Sequence, residues 1–203
     1  RELYEATLPF VSSGFVDFFH FGIPGQQEQM YMHFLKKFKD ETEWFIFIDI
    51  DEFILLRKHD NIADFVEAWG KDDFDIMHLF SLNAGHNGFE VEPVGSVIQN
   101  FNRRSAQLTP FTKVLFRASS VDESALDAAL GSAFWHNATA IARSGARIVS
   151  PLGHNMRDYY FEQNENWRSL NVECAFQEKI IDMIFIYHVG FKSKAYFEHR
   201  IKR

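Results

Sequence analysis

Apolar positions along the chain recur with two different periods. Leu3, Ala6, Leu8 and Val11 are spaced as on one side of a helix, which predicts a helix over Glu2–Ser12. Phe15–Phe21 reads as a strand, broken by Pro24-Gly25. Gln26–Lys39 places Met30, Phe34, Leu35 and Phe38 at helical spacing, with Lys36, Lys37 and Lys39 in the last turns, where cations suit the helix dipole. Trp44–Ile50 is apolar on both faces until Asp49, the pattern of a central parallel strand. Strand, helix and strand within about 35 residues predict a βαβ unit with a right-handed crossover.

Further on, Asn61 is placed to cap a short helix with Ile62, Phe65, Val66 and Trp69 on its apolar face. Asp75–Leu82 reads as a strand and is followed by a glycine-punctuated loop, Asn83–Gly88. Ser96–Phe101 and Lys113–Arg117 read as shorter strands and Asp122–Leu130 as a brief helix. Residues 131–180 show little periodicity. Met183–Val189 is a strand, after which Ser193 caps a last helix with Tyr196, Phe197 and Ile201 on one face. With 203 residues and no repeat or linker, the pattern predicts one α/β domain over 1–203, a mixed sheet flanked by helices.

Composition narrows the function classes. Hydrophobic residues make up 46% of the chain and charged residues 24%, as in ordinary globular proteins, which excludes a disordered tail or a fibre. The longest apolar runs, such as Trp44–Ile48 and Met183–Tyr187, fall far short of the ~20 residues of a membrane-spanning helix. A net charge of −7 argues against a nucleic-acid binder. The one basic cluster, Lys192 to Arg203, reads as a solvated helix face, with an anionic membrane surface as its other reading. A single cysteine, Cys174, excludes an internal disulfide and a cysteine-only zinc site, and is compatible with a reducing compartment. The 23 phenylalanines predict an aromatic core. Asn137-Ala-Thr139 matches a glycosylation acceptor, a three-residue match of little weight outside a secretory context.

The sharpest chemical feature is Phe47-Ile-Asp49-Ile-Asp51-Glu52-Phe53. Alternate residues of a strand share a face, so Asp49 and Asp51 are expected to project together at the carboxyl end of the strand, where open α/β sheets bind ligands. Two such carboxylates call for a positive partner, and a hard divalent cation, Mn²⁺ or Mg²⁺, fits. The plain alternative is that both acids end a strand and cap the next turn. Phosphatases of the haloacid dehalogenase class also place Asp-x-Asp after an apolar strand, but continue with Gly or Thr and near the start of the fold. The second feature is Ile186-Tyr-His188-Val-Gly-Phe-Lys192-Ser193, a strand ending at a possible metal-binding imidazole, followed by a lysine and a helix-capping serine. The other histidines lack metal-binding spacing.

Gln27-x-x-x-Tyr31, Glu43-Trp44-Phe-Ile-Phe-Ile-Asp49-Ile-Asp51-Glu52-Phe53, Lys113 on a strand and His188-x-x-x-Lys192-Ser193-x-x-x-Phe197 together resemble glycosyltransferase families 2 and 92. The likeness covers residues 1 to about 118 and about 183 to 203. It implies a GT-A fold, a Rossmann-like sheet that binds a nucleotide-sugar, and a metal-dependent transfer of the sugar to an acceptor hydroxyl, with inversion, from a UDP-sugar by default and with Mn²⁺ (or Mg²⁺) as cofactor. Carried over residue by residue, Asp51 ligates the metal, Asp49 faces the ribose or the metal, His188 is a further metal ligand and Lys192 approaches the diphosphate. Gln27 and Lys113 are weaker donor contacts; their plain readings are a helix cap and a solvated lysine. An inverting enzyme also needs a carboxylate base, and Asp158, Glu162, Glu165, Glu173, Glu178 and Asp182 are open candidates. In these families nucleotide-binding strands precede the position of Arg1, so the likeness implies a longer natural chain. The expected partners are a nucleotide-sugar and a glycan or other hydroxyl acceptor, no nucleic acid, in a cytoplasmic or membrane-peripheral setting. The competing expectations are a GT-A-shaped carbohydrate-binding or scaffold domain without catalysis, and a phosphatase-like hydrolase.

Overall fold

The computed structural model of the chain describes residues 2–160 and 174–202. In chain order its main elements are α1 (Glu2–Ser12), α2 (Gln27–Lys37), β1 (Trp44–Ile46), β2 (Glu52–Leu56), α3 (Ile62–Trp69), β3 (Ile76–Asn83), α4 (Val97–Asn100), β4 (Thr112–Arg117), β5 (Ile148–Val149), α5 (Cys174–Ile181), β6 (Ile184–His188) and α6 (Lys194–Ile201). They form a mixed α/β structure. The strand order is β1-β4-β3-β6-β2, with β5 alongside β3. β3 runs parallel to β5 and β6; the pairings β1–β4, β3–β4 and β2–β6 are antiparallel. Among the described residues, no helix is long and apolar enough to cross a membrane.

Strand alternation divides the apolar side chains between two faces. Ile76, Phe80 and Leu82 of β3, Val114 and Phe116 of β4, and Phe185 and Tyr187 of β6 join Met32 and Leu35 of α2 in the larger core cluster. Met77 and Leu79, Leu115, and Ile184 and Ile186 point the other way, against Phe65 and Val66 of α3. That helix forms as its sequence requires. Asn61 is extended and its side chain accepts from the Asp64 amide, while Gly70 closes the other end at φ 98°, a left-handed conformation that costs glycine little.

Five expectations fail here. Phe15–Phe21 is not a strand. Its rings meet two helices instead: Phe15 and Phe18 lie against Phe10 and Tyr4 of α1, and Phe19 and Phe21 against His33 of α2 at 5.9 and 5.6 Å, with Phe19 also 5.2 Å from Phe38 just beyond that helix. With no strand there, the βαβ unit and its crossover do not exist. Trp44–Ile50 is neither central nor parallel. Only Trp44–Ile46 is strand, antiparallel to β4 at one end of the sheet, because the chain turns at Asp49. Ser96–Phe101 is a single helical turn, with Asn100 and Phe101 amides bonded to the carbonyls of Ser96 and Val97. Asp122–Leu130 resolves into two 3-10 turns rather than one helix.

Candidate functional site

The smaller apolar face ends in charge. Two residues beyond Leu115, Ile54 and Ile186 on their strands, the same alternation brings Lys113, Glu52 and His188 to one end of the sheet. This is the carboxyl end of β3 and β6, beyond the part of the face that α3 covers. Residues 47–51 cross this end on their way from β1 to β2, which lie at opposite ends of the strand order. The crossing includes a tight turn in which the Glu52 amide donates to the Asp49 carbonyl at 3.0 Å.

Lys113 holds that turn. Only 1% of its side chain is exposed, and its Nζ lies 2.7 Å from Asp49 Oδ2 and 3.1 Å from Glu52 Oε2. Glu52 Oε2 also accepts from the Asp49 amide at 3.1 Å. Asp49 Oδ1 accepts from Gln27 Nε2 at 2.8 Å, and the same amide group donates to the Tyr31 hydroxyl. Gln27 and Tyr31 are four residues apart on α2 and so share a face. The Tyr31 ring stacks on Phe47 with centroids 4.2 Å apart, and burial pushes its hydroxyl up to about 12. The plain readings of Gln27 as a helix cap and Lys113 as a solvated lysine therefore both fail.

Asp51 turns elsewhere. The expected shared face of Asp49 and Asp51 is absent, because the pair lies in a turn and not in a strand. Asp51 Oδ1 lies 3.8 Å from His188 Nε2, and the Asp51 carbonyl accepts from the Val189 amide at 2.9 Å, which ties the turn to the end of β6. His188 holds the Asp51 carboxyl below its usual range against the opposing effect of burial, with Lys192 adding to the lowering. Asp51 in turn raises His188 above the ordinary histidine value, against burial. Lys192 lies with its ammonium 5.1 Å from the centre of the Tyr196 ring.

Of the expected metal ligands, the structure thus brings Asp51 and His188 together and ties Asp49 to Lys113 and Gln27. Among the described residues, no three His, Cys, Asp or Glu side chains converge as a metal-binding group. Glu52 was given no role from sequence, yet it completes the Lys113 clamp. Its signal is an acid opening a strand whose other positions are apolar.

Beside this clamp, His136 donates from Nδ1 to the Thr112 carbonyl at 2.6 Å, and burial holds it below its ordinary value. Among the candidate bases, Glu178 and Asp182 are exposed at the amino end of β6, opposite His188. Asp158 is exposed in the turn before Tyr159. Glu162, Glu165 and Glu173 lie outside the described residues. Asn137 accepts from the Thr139 amide as the cap of a 3-10 turn. In comparisons with known proteins, no family model matches the chain and no curated protein matches it.

Proposed function

We propose that this chain is a GT-A-type glycosyltransferase, similar to families 2 and 92, that moves a sugar from a UDP-sugar to an acceptor hydroxyl with inversion and with Mn²⁺ or Mg²⁺ as cofactor. The observation that carries the reading is the facing pair Asp51 and His188 at the carboxyl end of two parallel strands. Their atoms are too far apart for a hydrogen bond and close enough to reach a common cation, and oxygen with imidazole nitrogen is a donor set that suits Mn²⁺. Two protein ligands leave coordination positions for phosphate oxygens. When bound, the metal supplies Lewis-acid stabilisation of the departing diphosphate.

The chain's own groups divide the remaining work. Lys113 and Gln27 fix the Asp49 carboxylate, whose side chain is still 37% exposed and so can accept a donor hydroxyl. Lys192 brings a cation to the same end of the sheet. A phosphatase reading instead predicts phosphate release from simple phosphomonoesters with no dependence on a sugar acceptor. The test is sugar transfer or donor hydrolysis, read as UDP release from a panel of UDP-sugars with Mn²⁺ and simple hydroxyl acceptors. Wild type should release UDP, and Asp51→Ala and His188→Ala should lose at least about a hundredfold. Release that is metal-independent, or unchanged in both variants, would refute the reading.

A further inference from the structure

β1 and β4 run antiparallel with Ile46 opposite Leu115, so an unbroken β1 would bring Asp49 opposite Thr112. The chain turns at Asp49 instead, and the backbone groups of Thr112 find other partners. Its amide donates to the Tyr160 hydroxyl at 2.9 Å, and its carbonyl accepts from His136 Nδ1 at 2.6 Å. The Thr112 hydroxyl donates back to the His136 carbonyl at 3.1 Å. His136 thus stands in the notch between β4 and the departing segment, one residue from Lys113 of the Asp49 clamp. Its neighbours fix it there. Phe134 packs on Phe47 with ring centroids 5.9 Å apart, and Trp135 on Tyr31 at 5.4 Å. The segment enters through Ala133 at φ 51°, a left-handed conformation that alanine adopts only where its surroundings impose it.

A carbonyl can only accept, so the Thr112 bond requires the proton on Nδ1 and leaves the lone pair of the neutral ring on Nε2. Among the described residues Nε2 has no hydrogen-bond partner, and the half-buried ring does not seal it from solvent. Burial keeps the ring neutral and Lys113 adds to that, while Asp49 and Glu52 act the other way; His78 meets the Thr112 hydroxyl nearby. The exposed carboxylates Glu178 and Asp182 sit at the amino end of β6, opposite His188, and His136 lies at the same end of the sheet as the Asp49 clamp. We infer that His136 is the general base of the transfer, a role that rests on the transferase reading. The acceptor oxygen bonds to the anomeric carbon of the donor as its proton passes to Nε2. The bond from that carbon to the diphosphate oxygen breaks, and its electron pair leaves with the diphosphate. The imidazolium so formed stands near the carboxylates of Asp49 and Glu52, which favour its charge.

Two variants separate a base from a brace. His136→Ala removes both functions, whereas His136→Asn keeps a donor for the Thr112 carbonyl but carries an amide that takes no proton. With the UDP-sugar and acceptor panel and Mn²⁺, both should release UDP about 10²–10⁴-fold more slowly than wild type. Calorimetric titration with UDP and Mn²⁺ should give all three proteins the same affinity. Full transfer by His136→Asn would reduce the residue to a brace for Thr112 and overturn the inference, and release that neither variant slows would overturn it while leaving the transferase reading intact. No release by wild type would remove that reading and the base with it. A nitrogen-15 spectrum of wild type at pH 7, which needs no substrate, should show His136 neutral with its proton on Nδ1; a charged ring or the other tautomer would also overturn the assignment.

Discussion

Gly190 shows how little room the site leaves at the level of single atoms. A Cβ placed there would stand 2.8 Å from His188 Nε2 and 3.1 Å from its Cε1, closer than non-bonded atoms approach. The Gly190 backbone is not in the left-handed region, so alanine is allowed by the main chain and only the imidazole must move. Gly190→Ala should therefore push the ring away from Asp51 without unfolding anything. Mn²⁺ titration followed by electron paramagnetic resonance should show about 10–100-fold weaker binding, the usual effect of misplacing a metal-binding histidine. Unchanged affinity would mean that the ring has another seat, or that it does not hold the metal.

Among elements, the turn between β1 and β2 owes its shape to a lysine on a third strand. Lys113 is the cation shared by Asp49 and Glu52, and Glu52 is itself buried. Lys113→Met would leave Glu52 charged and unpaired in the interior, with Asp49 partly screened by water. The expected loss is about 3–5 kcal/mol, read by urea unfolding, with partial recovery in the double variant Lys113→Met/Glu52→Gln. A loss below about 0.5 kcal/mol would show that the clamp is dispensable. The same turn marks where the sequence was readable and where it was not. Asn61 and Ser193 announced their helices because a cap is a local interaction between residues three apart. Asp49, Asp51 and His188 stand out in the sequence because charge interrupting an apolar run is rare, and the structure brings Asp51 and His188 face to face. The placement of β1 was not, since an apolar run looks the same whether it is paired on both sides or lies at a sheet end. Phe15–Phe21 misled for a related reason: its aromatic content reads as a strand, yet the segment stays largely exposed and its rings meet α1 and α2 without a ladder of backbone hydrogen bonds.

For the molecule as a whole, acid sensitivity follows from His78. It is fully buried, with Nδ1 2.8 Å from Thr112 Oγ1 and, among the described residues, no hydrogen-bond partner for Nε2. Burial, with His136 adding to it, lowers it from 6.5 to about 3. Below pH 6.5 the unfolded chain takes up a proton at this position that the folded chain refuses until about pH 3. Its effect on stability is therefore absent above pH 6.5 and grows as pH falls, by up to about 1.4 kcal/mol per unit. His136 acts in the same direction; His188, raised by Asp51, acts in the opposite one. Urea unfolding between pH 7 and pH 5, where most carboxylates stay ionised, should show a shallower slope for His78→Asn than for wild type. Equal slopes would mean that His78 is protonated in the folded protein.

The strand order has a further consequence, in time rather than in space. Among the described strands β6 comes last in the chain, yet it lies between β3 and β2, both made much earlier. Until it arrives, β2 has no neighbour on its pairing edge and Asp51 faces no histidine. A partly made or cleaved chain that stops before residue 184 carries the whole acidic turn but presents β2 as an open edge, the kind of surface that recruits strands from other molecules. Insertion of that strand pairs one edge of β2 and brings His188 to face Asp51 in the same step of assembly.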